Sequence, residues 1–312
     1  MKNIKKVTVT IGIPAYNEER NIAYLLRSII LQKQVSYTIK SVIVVCDGCT
    51  DNTVKRVKKF ASRYSFITAT THSKRTGKAK ALNLIYSLNK SDYLLTIDAD
   101  LALLGDLCIE NMVREAIKNN KLNLVGPRHI PVMPRTIMGK FAYYSYISFE
   151  DAFLKLNNGN NYYAMMAVAL MPKRFAATVT YPKGTISDQC YLYAAATRKN
   201  KDAFKLVKNA AVLFSPVSTF IDWRILGVRS VIGDKEDVAK HFGQYVLQEF
   251  HMPKMLYTRS LIKWFIKSPF YMTGSVLMNM YIRSFPYNKQ KPQDGMWTLA
   301  ISSKIGIILD NL

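Results

Sequence analysis

The 312-residue sequence predicts an α/β protein: a mostly parallel central sheet flanked by helices, with an amphipathic helical extension at the C-terminal end. Three observations carry this expectation. Short apolar, β-branched runs alternate with segments of helical spacing up to about residue 125, and strands apolar throughout belong to sheets covered on both faces. Polar, glycine-containing motifs follow the strand-like runs. From about Asp234, aromatic, methionine and cationic residues mix along helical stretches.

Val7–Ile13 reads as the first strand, and Glu18–Leu31 has helical spacing through Ile22, Leu25, Leu26 and Ile29. Ser41–Cys46 reads as a buried strand; Asp51–Tyr64 is a basic helix whose first residue suits an N-cap. Phe66–Thr71 is a strand, Lys78–Leu88 a helix, Tyr93–Ile97 another buried strand, Asp106–Asn119 a helix and Leu122–Val125 a strand. Pro127 to Arg135 holds two further prolines and reads as loop. Beyond it come a helix over Lys140–Leu156, a turn at Asn157–Asn161, an apolar run over Tyr162–Leu170 and a helix over Ser187–Thr197. Helical stretches at Asp234–Phe250, Met255–Ile266 and Met272–Ser284 complete the chain. Leu256, Leu261, Trp264 and Phe265 fall near one face, with Arg259, Lys263 and Lys267 among them. That pattern suits a helix lying on an anionic bilayer, and it equally suits packing against the rest of the chain. The expected organisation is a domain over 1–233, divided near residue 105, and a helical extension over 234–312.

Composition narrows the function. Hydrophobic residues make up 49%, enough to build a core, and four cysteines in 312 residues are not a disulfide framework. The formal net charge of +23 points to an anionic partner. No nucleic-acid-binding motif stands out and the basic residues are spread along the chain, so the expected partner is not nucleic acid but an anionic membrane surface or a phosphorylated substrate. Met1–Lys6 lacks the pattern of a signal peptide, and the uncharged stretch Ser268–Ile282 is shorter than the ~20 residues of a spanning helix. The expected location is cytoplasmic, peripheral on the cytoplasmic face of the membrane.

The chemistry-bearing residues follow the strands. After the first comes Pro14-Ala15-Tyr16-Asn17-Glu18-Glu19, after the second Cys46-Asp47-Gly48-Cys49-Thr50-Asp51, and after the run at 93–97 comes Asp98-Ala99-Asp100; Arg75–Asn83 (RTGKAKALN) lies between. In doubly wound sheets, ligands bind outside the carboxyl ends of the strands. Two carboxylates at i and i+2 after a buried strand are costly unless a cation neutralises them, and a hard divalent ion with oxygen ligands would do so. Taken alone, the tripeptide also fits a turn or a helix cap.

Together, IPAYNEE, CDGCTDNT, RTGKAKALN and IDAD resemble the nucleotide-sugar-binding half of family 2 glycosyltransferases, which have the Rossmann-like GT-A fold. The resemblance is close over 7–105 and looser over 106–230. It implies that Pro14, Ala15, Tyr16 and Glu18 border a nucleotide and that Asp47 contacts the base. It places Gly77 and Lys78 near the phosphates. Asp100 would bind a divalent metal (Mg²⁺ or Mn²⁺), with Asp98 near the ribose or the metal. The implied activity is metal-dependent, inverting transfer of a sugar from a nucleotide-diphosphate sugar, most simply a UDP-sugar, to the hydroxyl of a saccharide or lipid-linked acceptor. Ser187-Asp188 resembles the family's acidic base motif with one carboxylate kept, which implies Asp188 as general base; Asp188 also suits a helix N-terminus. A Gln-x-x-Arg-Trp element of processive members survives only as Arg229, a phosphate contact by resemblance, with Arg224 as its rival. Transfer to a polyprenyl phosphate, which needs no strong base, and a non-catalytic nucleotide-binding relative remain alternatives.

Cys46-x-x-Cys49 has redox spacing, although Asp-Gly between the cysteines favours a turn. His72, His129, His241 and His251 show no metal-ligand spacing; His241 is a candidate further metal ligand, or a histidine on a helix surface.

Overall fold

The structure is a computed structural model and describes residues 6–229, 237–284 and 300–304. The expected boundary at 233/234 falls outside the described residues, as does the start of the Asp234–Phe250 stretch.

The chain alternates strand and helix through β1 (Val7–Ala15), α1 (Ile22–Ile30), β2 (Tyr37–Asp47), α2 (Thr53–Ala61), β3 (Ile67–His72), α3 (Lys78–Leu88) and β4 (Tyr93–Ile97). These four strands form the wholly parallel half of an eight-stranded sheet, in the order β3-β2-β1-β4. The apolar runs bury on both faces, as their composition requires. Ile22, Leu25, Leu26 and Ile29 of α1 and Val57 of α2 enter one core, while Ala81, Leu82 and Ile85 of α3 enter another. The chain winds outward from β1 to β3 and then returns to the far side of β1. The β1/β4 junction is therefore the switch point, where a crevice opens.

The other half is mixed: β5 (Leu101–Leu104), α4 (Cys108–Lys118), β6 (Leu124–Pro131), α5 (Ile137–Phe153), β7 (Val168–Pro172), α6 (Lys173–Ala176), α7 (Asp188–Thr197), β8 (Phe204–Phe214) and α8 (Phe220–Arg229). The strand order continues β7-β6-β8-β5, with β7 antiparallel to β4 and β6, and β5 antiparallel to β8. Then come α9 (Val238–Phe242), α10 (Gln244–Glu249), α11 (Lys254–Lys267) and α12 (Pro269–Ser284). Val238, Val246 and Phe250 join Leu192 and Tyr193 in one core cluster.

Several expected elements shift for identifiable reasons. The first helix starts at Ile22 rather than Glu18: ahead of it Asn17 takes a left-handed φ of 53°, and the turn that follows is tied to the residues before α2. Glu18 N–H donates to Thr53 Oγ1 at 2.7 Å and Glu19 N–H to Asp51 Oδ2 at 3.0 Å. Asp51 precedes the N-cap position, which Asn52 holds, yet its carboxylate accepts the Thr53 N–H at 2.9 Å. The segment expected as loop from Pro127 is instead strand to Pro131. β6 pairs with β7 only at Val125, so the prolines beyond face no ladder on that side, and a register shift at Pro127/Arg128 absorbs them against β8.

Helices α11 and α12 pack on α5. Ser260 Oγ donates to Ser148 O at 2.6 Å, Ser275 Oγ to Phe141 O at 2.6 Å, and Tyr144 stacks on Tyr271 at 4.9 Å. Leu256, Leu261, Trp264 and Phe265 are thereby half-buried, and the outer stripe is Met255, Arg259, Ile262 and Ile266, at i, i+4, i+7 and i+11. Among the described residues, no helix is long and apolar enough to cross a membrane.

Candidate active site

The crevice at the switch point collects most of the sequence-predicted residues. It is lined by Pro14, Ala15, Tyr16 and Glu18 after β1, Asp47 at the end of β2, Lys78 at the start of α3, Asp98 and Asp100 after β4, Asp188 at the start of α7 and Arg229 at the end of α8. Arg75 and Lys304 also line it. Two expected site residues lie outside the lining: Gly77 sits behind it, and His241 is exposed on α9 with its ring against Tyr191 at 5.5 Å. Arg224, the rival of Arg229, is exposed and does not line the crevice.

Asp47 organises the loop between β3 and α3. Its carboxylate accepts Thr76 N–H at 2.9 Å, Thr76 Oγ1–H at 2.7 Å and Gly77 N–H at 2.7 Å, and His72 Nδ1 lies 2.9 Å away. Burial works against its charge, but hydrogen bonds from Thr76, His72 and Gly77 prevail and hold the carboxyl below the usual range. Gly77 reaches Asp47 with a φ of 97°, which a side chain would oppose. Gly48, at φ 69°, leaves no room for a Cβ, which would meet Arg75 N at 2.3 Å. The result presses Arg75 over the Tyr16 ring, 4.3 Å from its centroid.

Lys78 is the hub of the floor. Its ammonium lies 2.7 Å from Asp98 Oδ1 and 2.9 Å from Asp188 Oδ2. Burial disfavours its charge, but Asp188 and Asp98 outweigh that and raise its pKa. Burial, opposed by Lys78 and reinforced by Asp188 and Asp100, pushes Asp98 up to about 6. Arg229 approaches Asp188 from the other side at 3.7 Å. Asp188 is positioned through Asn83 of α3. That amide accepts Tyr181 N–H at 2.8 Å and donates to Tyr181 O at 2.9 Å, fixing the loop that leads into α7. Asp188 is the first residue of α7 and Ser187 its N-cap residue.

Burial, together with the nearby Asp100 charge, pushes Glu18 up to about 7 in spite of Lys304. Asp100 itself has no hydrogen-bond or ion-pair partner among the described residues. In their ionised forms the lining side chains carry five carboxylates (Glu18, Asp47, Asp98, Asp100, Asp188) against four cations (Arg75, Lys78, Arg229, Lys304). A diphosphate entering such a crevice would add negative charge where it is already in excess, and a divalent cation would offset it. Asp100, unpartnered among the described residues, and Asp98 offer oxygen donors that fit a hard cation completed by phosphate oxygens. Among the described residues, no three His, Cys, Asp or Glu side chains form a ready-made ligand set.

The remaining sequence candidates separate from this chemistry. Cys46 and Cys49 are free thiols; Cys49 Sγ donates to Ala15 O at 3.5 Å, and its hydrogen bond with Cys46 pulls it down to about 7. His129 is buried on β6, where desolvation pushes its ring down to about 3 and keeps it neutral. Sequence reasoning missed Lys304. It lies 286 residues from its carboxylate partner Glu18, and no local motif announces that pairing.

A family model described as Glycosyl transferase family 2 matches residues 10–175. Dolichyl-phosphate beta-glucosyltransferase ALG5D of Trichomonas vaginalis is 31% identical over 128 residues, covering 38% of this chain and 39% of that protein. The chain spans less than two-fifths of the length of the curated relatives it matches first. Mannosyltransferase PcManGT of Pyrobaculum calidifontis, solved in complex with GDP-Man and Mn²⁺, aligns over 90% of this chain and 76% of its own, with TM-score 0.56 and 16% identity. Glucosyl-3-phosphoglycerate synthase of Mycobacterium tuberculosis, solved in complex with Mn²⁺, uridine-diphosphate and phosphoglyceric acid, aligns over 76% of this chain and 79% of its own, with TM-score 0.53 and 17% identity. These likenesses show the GT-A fold.

Proposed function

We propose, from the premise that the chain belongs to glycosyl transferase family 2, that it is an inverting transferase moving a sugar from a nucleotide-diphosphate donor to an acceptor hydroxyl. The carrying observation is the convergence of Asp98, Asp100, Asp188 and Lys78 at the switch point of the parallel half-sheet, with Arg229 beside Asp188. The donor is bounded by Pro14–Tyr16 and Arg75 on one side and by Asp98 and Asp100 on the other. UDP is the nucleotide we favour, and GDP, present in the complex of the mannosyltransferase above, is its rival.

In the reaction, the acceptor oxygen bonds to the anomeric carbon as the bond from that carbon to the diphosphate oxygen breaks. The hydroxyl proton passes to Asp188, whose carboxylate oxygens lie 2.9 Å from Lys78 Nζ and 3.7 Å from Arg229. Negative charge grows on the departing diphosphate. Lys78 and Arg229 are the cations that face it, and preorganised charge aimed at a leaving group is a large catalytic effect. Asp98 and Asp100 would hold Mg²⁺ or Mn²⁺, which when bound supplies Lewis-acid neutralisation of that charge. Asp47, with its acceptor positions taken up by the 72–77 loop, shapes the base end of the site through that loop. His241 has no part in this reading.

We take 1–233 as the catalytic unit and 234–312 as an extension. The outer face of α11 and α12 exposes Ile262 (55%), Ile266 (80%), Phe270 (65%) and Met280 (63%) among Arg259, Lys263 and Lys267. Apolar residues interleaved with cations suit an anionic bilayer surface, which would bring a lipid-linked acceptor to the crevice. The same face favours a second reading, in which the acceptor is a polyprenyl phosphate already ionised, in line with the name of the Trichomonas relative.

The test is a calorimetric and turnover screen of UDP- and GDP-sugars with and without Mn²⁺. We expect metal-dependent binding and slow donor hydrolysis with one base, both lost in Asp100→Ala. Binding of neither nucleotide would overturn the assignment and leave a non-catalytic relative.

A further inference from the structure

The crevice has a wall that comes from the far end of the chain. Ala300, Ser303 and Lys304 line it, Lys304 against the residues that follow β1. This short segment is fastened from behind. The Asp222 carboxylate, in the first turn of α8, accepts Ser302 N–H at 2.7 Å and Ile301 N–H at 3.2 Å. Ser302 Oγ accepts Ser218 N–H at 2.9 Å. Ala300 packs against a small core of Val217, Trp223 and Ile282.

At the end of this strap, the Lys304 side chain is 16% exposed and its ammonium is committed. It donates to Tyr16 O at 2.7 Å and to Asn17 O at 3.4 Å, and it pairs with Glu18. It also lies 5.9 Å from the Tyr16 ring centroid, so that Tyr16 has Arg75 and Lys304 as neighbours. The turn these bonds hold is an uncomfortable one: Asn17 has a φ of 53°, in the left-handed region. A buried carboxylate at Glu18 is costly without a cation, and among the described residues the cation paired with it is Lys304 of the strap.

We propose that the strap 300–304 is a built part of the donor site and that Lys304 is its positioning residue. By bonding the 16–18 turn, Lys304 fixes the wall against which the donor nucleotide rests. The inference rests on the donor-binding reading above. It adds that the donor binds the strapped form, so strap docking and nucleotide binding are coupled. Asp222 enters the same unit, because it anchors the strap without lining the crevice.

The experiment uses the full chain and measures UDP and GDP binding, each with Mn²⁺, by calorimetry, alongside donor turnover. Lys304→Ala is expected to weaken nucleotide binding and raise the donor KM at least tenfold, with kcat at saturating donor within a few-fold of the parent. Lys304→Arg should recover most of the loss. Asp222→Asn, remote from the crevice, should weaken binding in the same direction, and the double variant Lys304→Ala/Asp222→Asn should be no worse than Lys304→Ala alone. Circular dichroism and thermal unfolding confirm that each variant folds, and if Lys304→Ala does not fold, the Arg and Asn variants carry the comparison. Equal nucleotide binding by parent and Lys304→Ala overturns the proposal. So does a loss in Lys304→Ala with none in Asp222→Asn, because the strap is then not coupled to the site. A parent that binds neither nucleotide refutes the donor-binding reading itself, which separates the two failures.

Discussion

The crevice and the outer face of α11 and α12 use the same charged residue types in opposite ways, Lys263 apart, which pairs inward with Asp151. In the crevice, lysines and arginines turn inward onto carboxylates: Lys78 onto Asp98 and Asp188, Lys304 onto Glu18, Arg229 onto Asp188. On the α11–α12 side, Arg259 and Lys267 stand exposed beside Ile262, Ile266 and Phe270. Inward pairing in a buried crevice makes each charge conditional on its partners, and such sites are where chemistry is arranged. Among the described residues these outward cations have no carboxylate partner, Lys267 having only the Trp264 ring at 5.1 Å, and they are suited to a surface. The comparison teaches that the net charge of +23 is not built in the crevice, where cations and carboxylates nearly cancel, but on exposed faces.

The sharpest way to break the comparison is to neutralise the inward side. Asp188→Asn keeps the shape of the crevice and removes the proton acceptor. If the acceptor is a hydroxyl, we expect kcat to fall by roughly a thousandfold, within the usual range for a general base. If the acceptor is an ionised phosphate, substantial activity should remain. Single-turnover rates with the donor identified in the screen decide between them.

The outward side should respond differently. Arg259→Gln with Lys267→Gln removes two cations near the proposed bilayer contact. At about 1 kcal/mol each, we expect roughly thirtyfold weaker partition onto anionic vesicles. Partition onto zwitterionic vesicles and donor hydrolysis in solution should not change. Co-sedimentation measures the first pair and turnover the second. Equal partition by parent and variant onto anionic vesicles would remove the membrane reading.

How much of this was legible in the sequence follows the same division. The parallel half was readable because its information is local. Apolar runs announce strands, and each motif sits where its strand ends; α3 and β4 begin and end where the spacing predicts. The other half carries signals that depend on tertiary pairing. The sequence does not announce β8, whose run FKLVKNAAVLF puts lysines at half-buried and exposed positions, or β5, four residues packed into the approach to α4. α11 is legible as a helix, but its sequence leaves open whether the Leu256, Leu261, Trp264 and Phe265 face meets a bilayer or the chain; which side meets α5 is set by Ser260, Tyr257 and Trp264 finding partners there. In the site, Asp47, Lys78, Asp98 and Asp188 could be named from motifs. Lys304 could not, since only the path of the chain brings it to Glu18.

The smallest effect tests whether the division extends to stability. His129, in the mixed half, has its pKa pushed from about 6.5 down to about 3 by burial. Between those values the unfolded chain binds the proton and the folded protein does not, so stability falls as pH falls below about 6.5, by roughly 1.4 kcal/mol per unit. Glu18 and Asp98, in the crevice, have raised values of about 7 and about 6. Their folded forms hold the extra proton, so they pull the other way: stability from these groups falls as pH rises through that window. The two regions therefore oppose each other between about pH 4.5 and 6.5, two carboxyls against one imidazole. His129→Phe removes one side of the balance. Whatever its absolute stability, urea unfolding should show the variant gaining on the parent by roughly 1.4 kcal/mol for each unit below pH 6.5. Parallel pH profiles for the two proteins would mean that His129 takes up its proton without unfolding.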